Sequence, residues 1–320
     1  MPSVVIRWVD EAGAVQSRSG ATLEPYPPNA SLVWVDITDP DDAVVDELCA
    51  RFDFHTLALE DVRHTQSRPK LDVYATYLFL AWLSPQRLRG DGVTADEVDI
   101  FIGKGYLVTC HVKANKKIDA VAADLERNMR GGPDLLLHAI IDRLVDVTLP
   151  LVDSVGERLA TIEDAILENN PRQEELRSLH RVRRQLVRLH RIVAPERDIL
   201  RTFARESEII GENAYRYFQD VGDHVSRVLD AIETYQDVGA SVMDVYLSAQ
   251  NNRMNEIMKQ LTVVATIFMP LTLLSGIYGM NVVAGMWPPP NAWWSFPLVV
   301  GSMALIAIVM AAYFRKRNWW

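Results

Sequence analysis

The sequence predicts an α+β domain with a mixed sheet and flanking helices, followed by a long stalk helix and two C-terminal transmembrane helices. Three observations carry this reading. Strand-like runs are confined to residues 1–115. No proline interrupts residues 212–269, where apolar side chains recur in steps of three and four. Residues 260–314 contain no Asp, Glu, Lys or Arg.

In chain order, residues 4–8 and 32–37 are short β-rich runs, and residues 40–52 place apolar side chains at helical spacing after an Asp-Pro start. Residues 71–83, 98–102 and 106–112 read as strands, the last two joined by a turn at Gly103-Lys104-Gly105. Beyond residue 118 strand signals stop. Residues 133–168 and 171–205 are expected as two long amphipathic helices meeting at Asn169-Asn170-Pro171. The second is crowded with bases (Arg172, Arg177, Arg181, Arg183, Arg184, Arg188 and Arg191), expected as a solvated face pairing with the acidic stalk. The stalk repeats Val225, Val228, Ile232, Tyr235, Val238, Val242 and Val245 on one stripe. Continuous to residue 278, it would be about 100 Å long at about 1.5 Å per residue. The expected division is 1–132, an α/β domain; 133–257, helical region and stalk; 258–280, first span; 281–294, external loop; 295–314, second span; and 315–320, basic tail.

The uncharged stretch holds two apolar runs, residues 261–278 and 296–314, each long enough to cross a hydrocarbon core of about 30 Å. Between them lies a segment rich in Gly, Pro and Trp that no single helix spans. Arg253 and Lys259 precede the first run and Arg315-Lys316-Arg317 follow the second, so both termini are expected in the cytoplasm and the loop outside. The chain then lies in the cell's inner or plasma membrane as a multi-pass protein, with the lipid bilayer as a partner. Trp293, Trp294, Trp319 and Trp320 flank the second run at interfacial positions. The competing reading is a pair of buried core helices.

All 42 acidic residues precede residue 260, against 30 basic ones there, a net charge of −12 for that part. This argues against nucleic acid as a partner and is compatible with divalent cations. Cys49 and Cys110 lack metal-site spacing and are expected as free thiols. Residues 1–10 have no sustained apolar run, so no signal peptide is expected. No Gly-rich phosphate loop, nucleophile elbow or metal-hydrolase motif is visible, so an enzyme is not expected.

The first apolar run is not uniform. Asn255, Met258, Leu261, Ala265, Met269, Thr272, Gly276 and Gly279 follow one another at steps of three or four and form one stripe. Several copies of that stripe around an axis would line a pore, with Thr272 and Asn255 supplying oxygens and Met258, Leu261 and Met269 narrowing it. A small-residue helix-packing face has the same spacing, and spacing alone does not separate the two. Asp223, Asp230, Asp237 and Asp244 stand seven apart along the stalk. Asp244 lies eleven residues before Asn255, about 20° off the same stripe, and is assigned to a pore mouth. The other three are left open between mouth and solvated face.

The run TIFMPLTLLSGIYGMN, ending in Tyr278-Gly279-Met280-Asn281 and followed by a short loop and a second span with a basic end, resembles the CorA family of magnesium channels. The resemblance covers the whole layout. It implies a homopentamer with first spans lining the pore and a selectivity filter at Gly279, Met280 and Asn281. Mg²⁺ is hard and sheds water reluctantly, which suits amide and carbonyl oxygens there. Neither span carries His or Cys, so soft ions find no preferred ligand. In the soluble part, Leu59-Glu60-Asp61-Val62 with Arg68-Pro69-Lys70, and residues 217–224, are similar to the family's segments for a regulatory metal site. The resemblance pairs Asp61 and Asp220 from neighbouring subunits, with Glu60 and His224 as candidates for an adjacent site. Unlike many members, residues 282–294 carry no acid to collect cations. The expected function is a Mg²⁺ channel closed by cytoplasmic Mg²⁺ bound between subunits. The alternatives are a Zn²⁺, Co²⁺ or Ni²⁺ transporter on the same scaffold, or a non-conducting membrane-anchored metal sensor.

Overall fold

A computed structural model describes every residue except 1, 28, 65–67, 90, 91, 169–172, 204–208, 281–286, 290, 291, 318 and 320. The chain opens with β1 (Ser3–Val9), β2 (Val15–Gly20), β3 (Leu32–Thr38), α1 (Asp42–Phe52), α2 (Thr56–Arg63), β4 (Lys70–Val73), β5 (Tyr77–Arg89), β6 (Gly92–Gly103) and β7 (Tyr106–His111). Helices follow: α3 (Lys116–Ala123), α4 (Leu125–Met129), α5 (Pro133–Val145), α6 (Thr148–Glu168), α7 (Gln173–Phe203), α8 (Glu212–Gly279) and α9 (Ser295–Lys316). The fold is the expected mixed sheet with helices, a long helix and two apolar C-terminal helices.

The seven strands run in the order β2-β1-β3-β7-β6-β5-β4. Every pairing is antiparallel except β3 with β7. One face packs beneath α1 and α2, burying Val44, Val45, Leu48, Ala58, Leu59 and Val62 against Ile6, Val35, Phe79, Phe101 and Cys110. α5 and α7 lie against strands of the same sheet, and Trp34, Trp82, Leu80 and Ile100 are fully buried. With both faces covered, β3 reads as an unbroken buried run rather than an alternation. Asp41 caps α1 by accepting from the Val44 N–H at 3.0 Å, as its place before the first turn requires.

Several elements depart from the sequence reading; α2, α3 and α4 were not anticipated, and β6 begins at Gly92 rather than at residue 98. The strand expected over 71–83 is two, β4 and β5, because the chain turns at Tyr74, whose N–H donates to the Tyr77 carbonyl at 3.0 Å. The helix expected over 133–168 is broken between α5 and α6. Pro150, in the first turn of α6, has no N–H to donate to the carbonyl of Asp146, the residue at which α5 ends. β2 was not anticipated. It is polar and exposed (VQSRSG), and it exists through its pairing with β1 across a turn in which Asp10 accepts from the Ala12 and Ala14 N–H groups. The expected joint at 169–171 lies outside the described residues.

The chain divides into two units, residues 1–165 with 173–243, and residues 166–172 with 244–320. Within the first, the stalk stripe is largely buried as expected: Val225, Ile232 and Val242 are fully covered and Val228 nearly so. Val238 departs, at 36 % exposed. Gly156 of α6 lies so close to the Tyr235 ring of α8 that an added Cβ would stand 2.3 Å from it. On α7, Arg177, Arg183, Arg184, Arg188 and Arg191 are exposed, and His190 stands 3.8 Å from Glu233 of α8. Cys49 and Cys110 are free thiols.

Within the second unit, α8 continues through Pro270 to Gly279. Both α8 and α9 contain a stretch long and apolar enough to cross a membrane. Only 6 % of either stretch is buried within the chain, which disfavours the core-helix reading. The Tyr278 hydroxyl donates to the Trp287 carbonyl at 2.7 Å, tying the end of α8 to the following loop.

Candidate ion pathway and metal centre

The pore-stripe residues share one environment. In the single chain Asn255, Ala265 and Thr272 are exposed, as are Met258 (60 %), Leu261 (65 %) and Met269 (72 %). A Cβ built on Gly276 or Gly279 would meet nothing within 4 Å. The covered side chains of the same stretch are others: Val263 is buried, and Ile267, Pro270, Leu274 and Tyr278 are half-buried. These also step by three and four, offset from the stripe around the helix. The Thr272 hydroxyl donates to the Phe268 carbonyl at 2.9 Å, so its oxygen retains lone pairs for a cation while its proton is engaged. Met280 is exposed just past the helix end, and Asp244 is exposed on α8. Asn281 lies outside the described residues.

The regulatory candidates fall into two places. α2 begins where the His55 ring accepts from the Leu57 N–H, and Arg63 at its end pairs with Asp42 and Asp46 of α1 at 2.9 and 2.7 Å. Glu60 is exposed. Asp61 is half-buried and pairs with Lys70, which also holds Asp72 at 3.0 Å. Burial opposes the charge on Lys70, yet the two carboxylates outweigh it and raise its pKa. Asp220 and His224 stand one turn apart on α8, 3.8 Å from each other. Within the chain, Glu60 and Asp61 are not gathered with them.

What the fold does gather is a set the sequence reading missed. Asp142 and Asp146 place carboxylate oxygens within 4.8 Å of each other and of a His224 ring nitrogen. Asp142 is at the end of α5 and Asp146 is its C-cap, whose N–H donates to the Asp142 carbonyl at 2.9 Å. Burial pushes the Asp142 carboxyl up and Asp146 pushes it further, partly offset by His138 and His224. His138, packed against the Tyr217 and Phe218 rings, is lowered by burial. The two carboxylates, converging on a half-buried spot beside one imidazole, repel each other when ionised, and a divalent cation reverses that balance. The one-turn spacing of Asp142 and Asp146 was readable, but their meeting with His224 depends on the packing of α5 against α8.

An exposed small-and-polar stripe on an apolar span, and converging carboxylates in the acidic part of the same chain, suit a membrane protein that handles divalent cations. The family described as "CorA-like Mg2+ transporter protein" matches residues 29–316. The cobalt/magnesium transport protein CorA of Thermotoga maritima is 32 % identical over 321 residues, covering 97 % of this chain and 90 % of that protein. Its namesake in Methanocaldococcus jannaschii is 26 % identical over 314 residues, covering 95 % and 98 %. The complete structure of the CorA magnesium transporter from M. jannaschii superposes with a TM-score of 0.85 at 24 % identity, covering 99 % of this chain and 98 % of that one. The chain belongs to the CorA family.

Proposed function

We propose that this chain forms a homopentameric Mg²⁺ channel whose α8 spans line the pathway, with Gly279, Met280 and Asn281 at its outer filter and both termini in the cytoplasm. The single observation that carries this reading is the stripe from Asn255 to Gly279, exposed along its length, opposite a row in which Val263 is buried and Ile267, Pro270, Leu274 and Tyr278 are half-buried. Copies arranged with these stripes inward put Thr272 and Asn255 oxygens, Met258, Leu261 and Met269 along one passage. Asp244 then concentrates cations at the inner mouth. The domain division at 132/133, 257/258, 280/281, 294/295 and 314/315 goes with this reading.

Cytoplasmic Mg²⁺ regulates the same assembly. Asp61 and Asp220, with Glu60 and His224, are assigned to a site between neighbouring subunits, and Asp142 and Asp146 extend the His224 side of it. Occupancy holds the soluble domains together and the pore closed, and a ligand does this only through its differential affinity for the two states. Mg²⁺ is the primary ion, with Co²⁺, Ni²⁺ and Zn²⁺ as competitors.

The test is Mg²⁺ uptake by the purified chain in proteoliposomes, with Mg²⁺ varied on each side and Co²⁺, Ni²⁺ and Zn²⁺ added as competitors. Uptake that internal Mg²⁺ suppresses is expected. Metal binding without any flux would reduce the protein to a sensor.

A further inference from the structure

Four neighbouring strands of the sheet place one residue each in a single row on the face beneath α1 and α2. The pairing registers give Lys70 on β4, Ala81 on β5, Asp99 on β6 and Cys110 on β7, continued by Ile37 on β3. Ala81, Cys110 and Ile37 belong to the apolar core on this face. Asp99 stands among them with 6 % of its surface exposed, and its Oδ1 accepts no hydrogen bond from the described residues. A buried carboxylate oxygen without a donor is costly unless a proton, a water or a cation meets it.

Something has room to meet it. A cavity of about 40 Å³ opens beside Asp99, walled by Asp61 and Arg63 of α2, Glu97 and Asp99 of β6, Cys110 of β7 and Pro40. At about 10–15 Å³ per water, that is space for about three waters or a cation retaining part of its shell. Its wall carries three carboxyl groups, Asp61, Glu97 and Asp99, and one cation, Arg63, which is engaged by Asp42 and Asp46. We propose that this cavity is a second cation site, separate from Asp142, Asp146 and His224, in which Asp99 directly ligates a partly hydrated Mg²⁺-type ion while Glu97 reaches it through water; Asp61, on the same wall, stays with Lys70.

The donor set selects the ion. Among the described residues, the group whose ligand atoms converge within 4.8 Å is Asp142, Asp146 and His224, so the Asp99 cavity offers no dehydrated cage of three side chains. Mg²⁺ binds through one or two carboxylates and keeps several waters, whereas Zn²⁺ prefers a tight set of thiolate and imidazole ligands. The thiol of Cys110 is pushed well up by burial and then by Asp99 and Asp36, so it stays protonated and is a poor ligand. His111, also on the wall, is committed: its Nε2 is 3.0 Å from Asp36 and its Nδ1 2.7 Å from the Lys113 carbonyl. Burial, reinforced by Glu97 and Asp61, raises the Asp99 pKa. A divalent ion supplies the opposite charge that lets it ionise. Asp99 and Glu97 lie on one strand of one chain, so binding there does not require conduction.

The test uses the purified full chain in detergent with Mn²⁺ as a paramagnetic stand-in for Mg²⁺, counting bound ions by the loss of the free-ion EPR signal. Asp99→Asn, which keeps the side chain's shape, is expected to lose one Mn²⁺ per chain, and Glu97→Gln to weaken the same site about tenfold. Mg²⁺ should displace that Mn²⁺ in the parent. Asp142→Asn should remove a different ion, and combining it with Asp99→Asn should remove both. Circular dichroism establishes that each variant is folded, and Glu97→Gln, on the half-exposed rim, decides the matter if Asp99→Asn is not. An unchanged Mn²⁺ count and affinity in the folded variants would overturn the proposal, leaving Asp99 a protonated acid beside water. So would binding of Zn²⁺ but not Mn²⁺ with loss of Cys110 thiol reactivity, which would make this a thiolate site.

Discussion

β3 and the span within α8 are both apolar, and they meet opposite fates. In β3, Val33, Trp34, Val35 and Ile37 are 0–3 % exposed, each side chain taken up by the helices and strands of its own chain. In the span, Leu261, Phe268, Met269 and Leu273 are 61–72 % exposed. The first run is a core the chain completes by itself. The second is a surface that only lipid or further copies complete. Moreover, the span's exposed surface is not homogeneous, since its small and polar members fall on one side.

The largest effect that tests this contrast is at the span's C-terminal end. Asn281→Ala is expected to abolish Mg²⁺ uptake in proteoliposomes while the oligomer's gel-filtration volume stays that of the parent. Normal flux from an intact assembly would break the assignment of that end to ion selection.

Next comes a paired truncation. Phe101→Ala, in the aromatic cluster with Phe54 and Phe79, is expected to cost about 3–5 kcal/mol of soluble-domain stability. Met269→Ala should leave the melting of that domain unchanged. Near-UV circular dichroism during thermal unfolding reads both. Equal losses would mean that the span packs into a core after all.

A smaller effect is expected at the span's N-terminal end. Met258→Gly and Leu261→Gly should each leak Mg²⁺ when internal Mg²⁺ is high, because apolar rings one turn apart close a pore by dewetting. Two variants as tight as the parent would move the constriction elsewhere.

The smallest concerns the domain alone. On β3, Asp36 accepts from the Thr109 hydroxyl at 2.6 Å and pairs with His111 at 3.0 Å and Arg7 at 3.7 Å. Burial disfavours the imidazolium, but Asp36 and the Lys113 carbonyl outweigh it and raise the His111 pKa. A raised folded value means the stabilisation is complete below the usual imidazole pKa of about 6.5 and is lost as pH rises through the folded value. Melting temperature should therefore fall over that rise in the parent and fall less in His111→Gln.

The sequence disclosed what repeats. The stripe in α8 and the stalk periodicity were legible because three-and-four spacing persists over many turns, and β3 because it is apolar throughout. β2 was not, since its residues are polar and only β1 makes them a strand. The α5–α6 break was signalled by Pro150, yet Pro195 and Pro270 sit inside unbroken helices, so proline alone does not decide. The metal candidates were half legible. Asp220 and His224 are one turn apart on one helix. Asp142 meets His224 only through packing, and Asp61 is already held by Lys70, nine residues along and on a strand. Asp99 was visible only as one acid in an apolar strand, and nothing local announces the cavity beside it.

The contact between Gly156 and Tyr235 bears on how the stalk moves. The Tyr235 ring occupies space that a methyl group at residue 156 would need, and its hydroxyl is 3.5 Å from Asp153. One turn of α6 to either side, the ring would face Val152 or Ala160, both bearing a Cβ. Sliding α6 along α8 by about 5.4 Å would thus drive the ring into a side chain. The pair is a ratchet with a single notch. Displacement at this level of the stalk must carry both helices together, and Gly156→Ala would act as a wedge that prises them apart.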